Sequence, residues 1–292
     1  MKPIHLLTII SVLGFLTGCQ QPYSHLTYGT WSPRSLSRLA VDGGKNEVLV
    51  PEQVTEVLAI DPKTETLFNG TEQYVWRMTL NGKPLGGFNP PKYMRALALD
   101  AKGGHLYLAE QKGSHDIVRT DLDGKNLTVI VRDARYCQAL AFDGKRQVLY
   151  WSRQATSGGP TSIWRANADG TGAQQVSQEM RVSKAIAVDE RGGRLFWSSP
   201  GFENNTGKIM CANLDGTNAK ALLTNLPWAI EGLAVDSAAR RFYWIERHSG
   251  HAKPARIRSA RYDGSDVQTL QEFSGINHAR SLALGWLQGE RK

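Results

Sequence analysis

Residues 139–170 contain Ala139-Leu-Ala-Phe-Asp143, Leu149-Tyr-Trp-Ser152 and Ile163-Trp-Arg-Ala-Asn-Ala-Asp-Gly170. The chain then restarts the pattern as Ala185-Ile-Ala-Val-Asp189, Leu195-Phe-Trp-Ser198 and Ile209-Met-Cys-Ala-Asn-Leu-Asp-Gly216. Self-similarity at a period in the forties marks stacked supersecondary units, each unable to bury its apolar faces alone.

Working outward, the first segment recurs as Leu58-Ala-Ile-Asp61, Leu97-Ala-Leu-Asp100 and Leu233-Ala-Val-Asp236, with a degenerate copy at Leu282-Ala-Leu-Gly285. The second recurs as Leu67-Phe68, Leu106-Tyr107 and Phe242-Tyr-Trp244, and the third as Val75-Trp-Arg77, Ile117-Val-Arg119 and Ile257-Arg-Ser259. Each third segment runs into Asn81-Gly82, Asp123-Gly124, Asp169-Gly170, Asp215-Gly216 or Asp263-Gly264. These dipeptides tolerate the positive φ of a tight hairpin and are the strongest short hairpin signal. A fourth segment such as Ala219–Leu223 ends the unit. Four short antiparallel strands per unit predict a β-propeller blade.

The ends of the chain complete one another. Leu26–Tyr28, Leu36–Arg38 and Glu47–Val50 read as second, third and fourth strands, with Asp42-Gly43 as the hairpin turn, and Ser281–Leu284 reads as a lone first strand. The expectation is an all-β, six-bladed β-propeller with four-stranded blades, the last closed by one C-terminal plus three N-terminal strands. In Ala139–Asp143 a period of two puts the alanines on one face and Leu140 with Phe142 on the other, so a flat face can stack on a bulky one. Trp151, Trp197 and Trp244 then read as inter-blade core. Asp61, Asp100, Asp143, Asp189 and Asp236 read as carboxylates bonding turn amides, not as an acid/base pair.

These units resemble the YWTD, or low-density-lipoprotein-receptor class B, repeats, which form six-bladed propellers. The resemblance lies in the order of first strand, Tyr/Phe-Trp, Ile-x-Arg and Asp-Gly. The chain departs from the motif at Tyr150-Trp-Ser-Arg153, Phe196-Trp-Ser-Ser199, Leu67-Phe-Asn69 and Leu106-Tyr-Leu108.

Residues 1–18 read as a signal peptide. Lys2 is the positive n-region, and Ile4 to Leu16 is an apolar run too short to span a bilayer. Leu16-Thr-Gly-Cys19 resembles the lipobox of bacterial lipoproteins, which implies cleavage before Cys19 and its lipidation. An ordinary cleaved signal is the alternative. Residues 19–24 form the lipidated cysteine and a tether, and residues 25–292 the propeller. Gln20 after the cysteine points to the outer membrane, with the domain on its periplasmic face. The sequons at Asn69, Asn126 and Asn204 are then accidental. The remaining cysteines, Cys137 and Cys211, occupy non-equivalent places and read as separate thiols. The formal charge of +8 is scattered, with no basic run, which argues against a nucleic-acid groove.

The position just before each first strand holds Glu56, Arg95, Gln138, Lys184, Glu231 and Arg280, which would ring the mouth of the central channel. Tyr93, Tyr136 and His278 stand two positions earlier, with Trp228 one step further out. Two readings follow: an aromatic-walled polar pocket for an anionic or carbohydrate ligand, or a self-neutralising ring that merely closes the channel. The loops 153–162, 199–208 and 245–256 lie on the same face. His248 and His251 in the last lack a third ligand for a metal. No nucleophile elbow, zinc-protease helix motif, Cys-x-x-Cys or phosphate loop is present. The expected function is non-catalytic binding of an envelope protein, a glycan or an anionic small ligand, with no metal or cofactor. The alternative is a metal-dependent sugar-lactone hydrolase or another propeller enzyme. A divalent ion would need converging carboxylates, whereas the ring sets Arg95, Lys184 and Arg280 against Glu56 and Glu231.

Overall fold

Glycines 82, 124, 170, 216 and 264 all take φ between 80° and 88°, the left-handed region that the dipeptides in which they stand supply cheaply. Two of them also face crowding. A Cβ on Gly170 would collide with the Ile130 carbonyl and one on Gly216 with the Val176 carbonyl, so each hairpin tip nests on the outer strand of the preceding blade. The computed structural model describes residues 23–31, 34–90, 93–157, 159–177, 183–199, 207–247, 255–273 and 279–285.

The chain starts with three strands of one blade: β1 (His25–Trp31), β2 (Arg34–Ala40) and β3 (Asn46–Pro51). Blade 1 follows as β4 (Val57–Asp61), β5 (Thr66–Gly70), β6 (Val75–Thr79) and β7 (Pro84–Phe88). Blade 2 is β8 (Met94–Asp100), β9 (His105–Glu110), β10 (Ile117–Asp121) and β11 (Thr128–Val131). Blade 3 is β12 (Leu140–Asp143), β13 (Val148–Gln154), β14 (Thr161–Asn167) and the two-residue β15 (Gln174–Gln175). Blade 4 is β16 (Ile186–Asp189), β17 (Arg194–Ser199), β18 (Gly207–Asn213) and β19 (Lys220–Leu226). Blade 5 is β20 (Ala229–Asp236), β21 (Arg241–Arg247), β22 (Ala255–Arg261) and β23 (Gln268–Phe273). The last strand, β24 (Ala279–Gly285), pairs antiparallel with β1, Thr27 opposite Ala283, and completes blade 6 in the order β24-β1-β2-β3. The protein is an all-β six-bladed propeller, and the one-plus-three seam read from the sequence is the one observed.

Each blade boundary holds its own apolar cluster, built as the alternation of small and large residues dictates. Ala96 and Ala98 of blade 2 meet Leu140, Phe142 and Trp151 of blade 3. Ala139 of blade 3 meets Ile186 and Trp197 of blade 4, and Ala185 with Ala187 of blade 4 meet Leu233 and Trp244 of blade 5. The three tryptophans are thus inter-blade core. Burying such a side chain contributes roughly 1.5–3 kcal/mol relative to leaving it in water.

The five aspartates that end the first strands are buried and take the amides of the turn they open. Asp143 accepts from Lys145 and Arg146, both at 3.0 Å, and Asp236 from Ala238 at 2.8 Å and Ala239 at 2.9 Å. Asp236 also accepts from the backbone N–H of Tyr23 at 2.9 Å, which fastens the start of the described chain beside that turn. Cys137 and Cys211 are separate buried thiols. Asn69 is fully buried in β5, so its sequon is out of reach of glycosylation.

Candidate functional site

The channel mouth is set by where each first strand is allowed to start. In blade 3 the hydroxyl of Ser152 accepts from the backbone N–H of Gln138 at 3.0 Å and of Ala139 at 3.1 Å. In blade 4 Ser198 repeats the arrangement with Lys184 at 3.3 Å and Ala185 at 3.2 Å. In blade 1 Glu56 is placed by its own N–H, which donates to the Gly70 carbonyl at 3.0 Å. A hydroxyl on the second strand thus fixes the mouth residue in blades 3 and 4, and a backbone carbonyl of that strand does so in blade 1.

Glu56, Arg95, Gln138, Lys184 and Glu231 are brought together and line a cavity of about 170 Å³, floored by small and aliphatic residues such as Ala96, Ala139 and Ala185. The neighbouring Ser281 and Leu282 of β24 also line it. The side chain of Arg280 lies outside the described residues, as do His278, His248, His251 and Cys19.

The mouth has two unlike halves. On one, Glu231 takes Lys184 Nζ at 2.8 Å and Arg247 Nη2 at 2.9 Å on the same oxygen. Burial pushes the Glu231 carboxyl up, but the charges and hydrogen bonds of Lys184 and Arg247 outweigh it and hold the group below its ordinary range. On the other half, Arg95 Nε donates to Gln138 Oε1 at 3.1 Å, a neutral amide, and Arg95 makes no ion pair among the described residues. Among the described residues, Arg95, Lys184 and Arg247 thus stand with Glu56 and Glu231 at this rim. Arg247 was not anticipated from the sequence, because it arrives from the far end of β21 instead of from the position before a first strand.

Tyr93, Tyr136 and Trp228, expected as aromatic walls, are not among the residues that line this cavity, and each ring has another partner. Lys112 Nζ sits 3.8 Å over the Tyr93 ring, and His115 lies 4.8 Å from Tyr136, whose φ of 49° turns the backbone there. Arg256 stacks 4.0 Å over Trp228 while bonding Glu272 at 3.1 Å. Beneath that stack, the fully buried Glu246 holds Arg258 at 3.2 Å.

Among the described residues no three His, Cys, Asp or Glu side chains converge as a metal site. Cys137 is no nucleophile at neutral pH, since burial pushes its thiol up to about 12. What the mouth offers chemically is charge and hydrogen bonding in a concave, small-residue floor. That combination is chemically suited to a charged group.

Fold and mouth together define a class, the six-bladed propeller with a polar channel entrance. A chain of a nidogen/laminin complex superposes with a TM-score of 0.73 at 15% identity, covering 90% of this chain and 99% of that one. TolB from Acinetobacter baumannii gives 0.73 at 13% identity over 92% of this chain and 69% of its own. A TolB-type protein from Agrobacterium tumefaciens gives 0.69 at 12% over 91% and 99%. No family model matches the sequence, and neither does any curated protein. At such identities the likeness is one of fold.

Proposed function

We propose that this protein is a non-catalytic binding module that takes an anionic group of its partner, a carboxylate above all, into the channel mouth. The observation that carries the reading is Arg95: a guanidinium at the rim of the cavity whose hydrogen-bond partner among the described residues is a neutral amide. A planar fork of donors with spare N–H groups beside a recess suits bidentate capture of a carboxylate. The Lys184–Glu231–Arg247 group adds a cation in excess of its carboxylate on the opposite side. A divalent ion, the requirement of the lactone-hydrolase alternative, would have to displace two cations from Glu231.

The setting proposed with it is a lipoprotein, held through Cys19 on the periplasmic face of the outer membrane, with repeats of the YWTD type. The partner is an envelope protein, a glycan or a small molecule, sharing the anionic group. The likeness to a chain crystallised in a protein complex, and to two TolB structures, suits a protein partner. The test is a titration of the mature protein with succinate, glucuronate and a glutamate-rich hexapeptide, followed by the thermal midpoint. Arg95→Ala should weaken the best of these by about tenfold, as expected for a charge-assisted hydrogen bond. Equal responses of wild type and Arg95→Ala to every probe would exclude the reading.

A further inference from the structure

In five blades the third strand carries a bulky side chain opposite the middle of the second. Trp76 stands opposite Asn69, Val118 opposite Leu108, Trp164 opposite Trp151, Met210 opposite Trp197 and Arg258 opposite Trp244. In blade 6 the same register places Ser37 opposite Tyr28. The missing bulk leaves a second cavity, about 200 Å³, between blades 5 and 6, lined among others by Tyr28, Thr30, Ser35, Ser37, Asn46 and Phe273.

Blade 3 shows what such a place holds when it is filled. There Trp164 packs on Trp151, ring centres 6.4 Å apart, and its Nε1 donates to Ser162 Oγ at 2.9 Å. Ser162 faces Arg153, two residues past Trp151. Ser35 faces Thr30, two residues past Tyr28. Ser35 is therefore the counterpart of Ser162, so the acceptor for an indole N–H is kept where the indole itself is gone. The Ser35 hydroxyl meets Thr30 Oγ1 at 2.8 Å and Ser37 Oγ at 2.9 Å, which uses two of its three hydrogen-bonding capacities and leaves one. Phe273 and Tyr28, 5.5 Å apart and tilted by 59°, supply aromatic walls. An apolar cavity of about 150 Å³ already accepts benzene, so this larger one has room for a fused ring.

We propose that this cavity binds a planar aromatic group bearing an N–H donor, an indole, either as a small molecule or as a tryptophan side chain of a partner. The site is separate from the channel mouth and does not depend on its function. The mature protein is titrated with indole, with N-acetyltryptophanamide, with a tryptophan-containing nonapeptide and its leucine analogue, and with methyl glucoside, by ligand-observed NMR. Indole-bearing probes should bind saturably, with neither the leucine peptide nor the glucoside competing. A tryptophan peptide that binds more tightly than free indole identifies a partner's side chain, and the reverse order a small molecule. Ser35→Ala should weaken binding by about fivefold through loss of the acceptor. Ser37→Trp, and Ser37→Met as the milder substitution, should abolish binding by filling the space, the way Trp164 and Met210 do in their blades. Absence of saturable indole binding, displacement of indole by methyl glucoside, or full binding by folded Ser37→Met would each overturn the proposal.

Discussion

Lys184 donates to Glu231 at 2.8 Å across the boundary between blades 4 and 5, from the residue before one first strand to the residue within the next. The pair is thus a strap between adjacent blades at the channel mouth. With Arg247 at 2.9 Å on the same oxygen, one carboxylate answers two cations.

Removing that carboxylate leaves both cations close together without it. Glu231→Gln should destabilise the fold by about 1.5–3 kcal/mol, the range for a hydrogen bond to a charged group. The pH dependence fixes the cause. The folded pKa of Glu231 lies below its unfolded value, so its contribution is complete above the ordinary carboxylate range and is lost as acid protonates the group. Thermal midpoints of wild type and Glu231→Gln should differ at pH 7 and converge as the pH falls through that lowered pKa. A constant difference down to pH 2 would assign the loss to packing instead.

Ser152 and Ser198 each hold two backbone N–H groups that no ladder hydrogen bond reaches. Ser152→Ala or Ser198→Ala should cost about 1–3 kcal/mol in chemical denaturation, far more than an exposed serine would, because one buried and one part-buried donor are orphaned. Thr in either place keeps the acceptor and should restore most of the loss.

Ring closure rests on β24, which covers the inner edge of β1. A chain ending at residue 278 keeps β1 to β3 but leaves that edge open, a template for strands of other molecules. Size-exclusion chromatography should show it associating, with a broadened thermal transition. A monomeric truncation melting as wild type does would mean that the ring closes without the seam.

The proposed anchor is tested by Cys19→Ser. The substitution should move the protein from the membrane fraction to the soluble periplasmic extract. Unchanged fractionation would refute the lipobox reading and leave the propeller unaffected.

The repeat made the fold legible because each blade needs the same devices in the same order. Ala139, Trp151 and Asp143 announce the flat face, the bulky face and the capped turn, and their spacing survives in neighbouring blades. The mouth was half legible. Arg95 and Lys184 follow from a position counted along the repeat, whereas Arg247 reaches Glu231 from a strand end that the count does not visit. For Tyr93 and Tyr136, sequence distance from a strand says nothing about which cation or ring will cover them, here Lys112 and His115. The second cavity was hidden for a different reason. Ser37 is unremarkable alone, and its smallness acquires meaning only against Trp76, Trp164 and Met210 once cross-strand register is known.

The bond from Tyr23 to Asp236 gives the molecule a direction. Asp236 closes β20 at one end, and Glu231 stands near the other, at the channel mouth. The polypeptide therefore enters the disc on its underside, opposite the opening. Tyr23 and the Arg95 rim thus stand on opposite faces of the propeller. Under the anchoring proposed at Cys19, a partner that approaches from the face opposite Tyr23 meets the opening head-on.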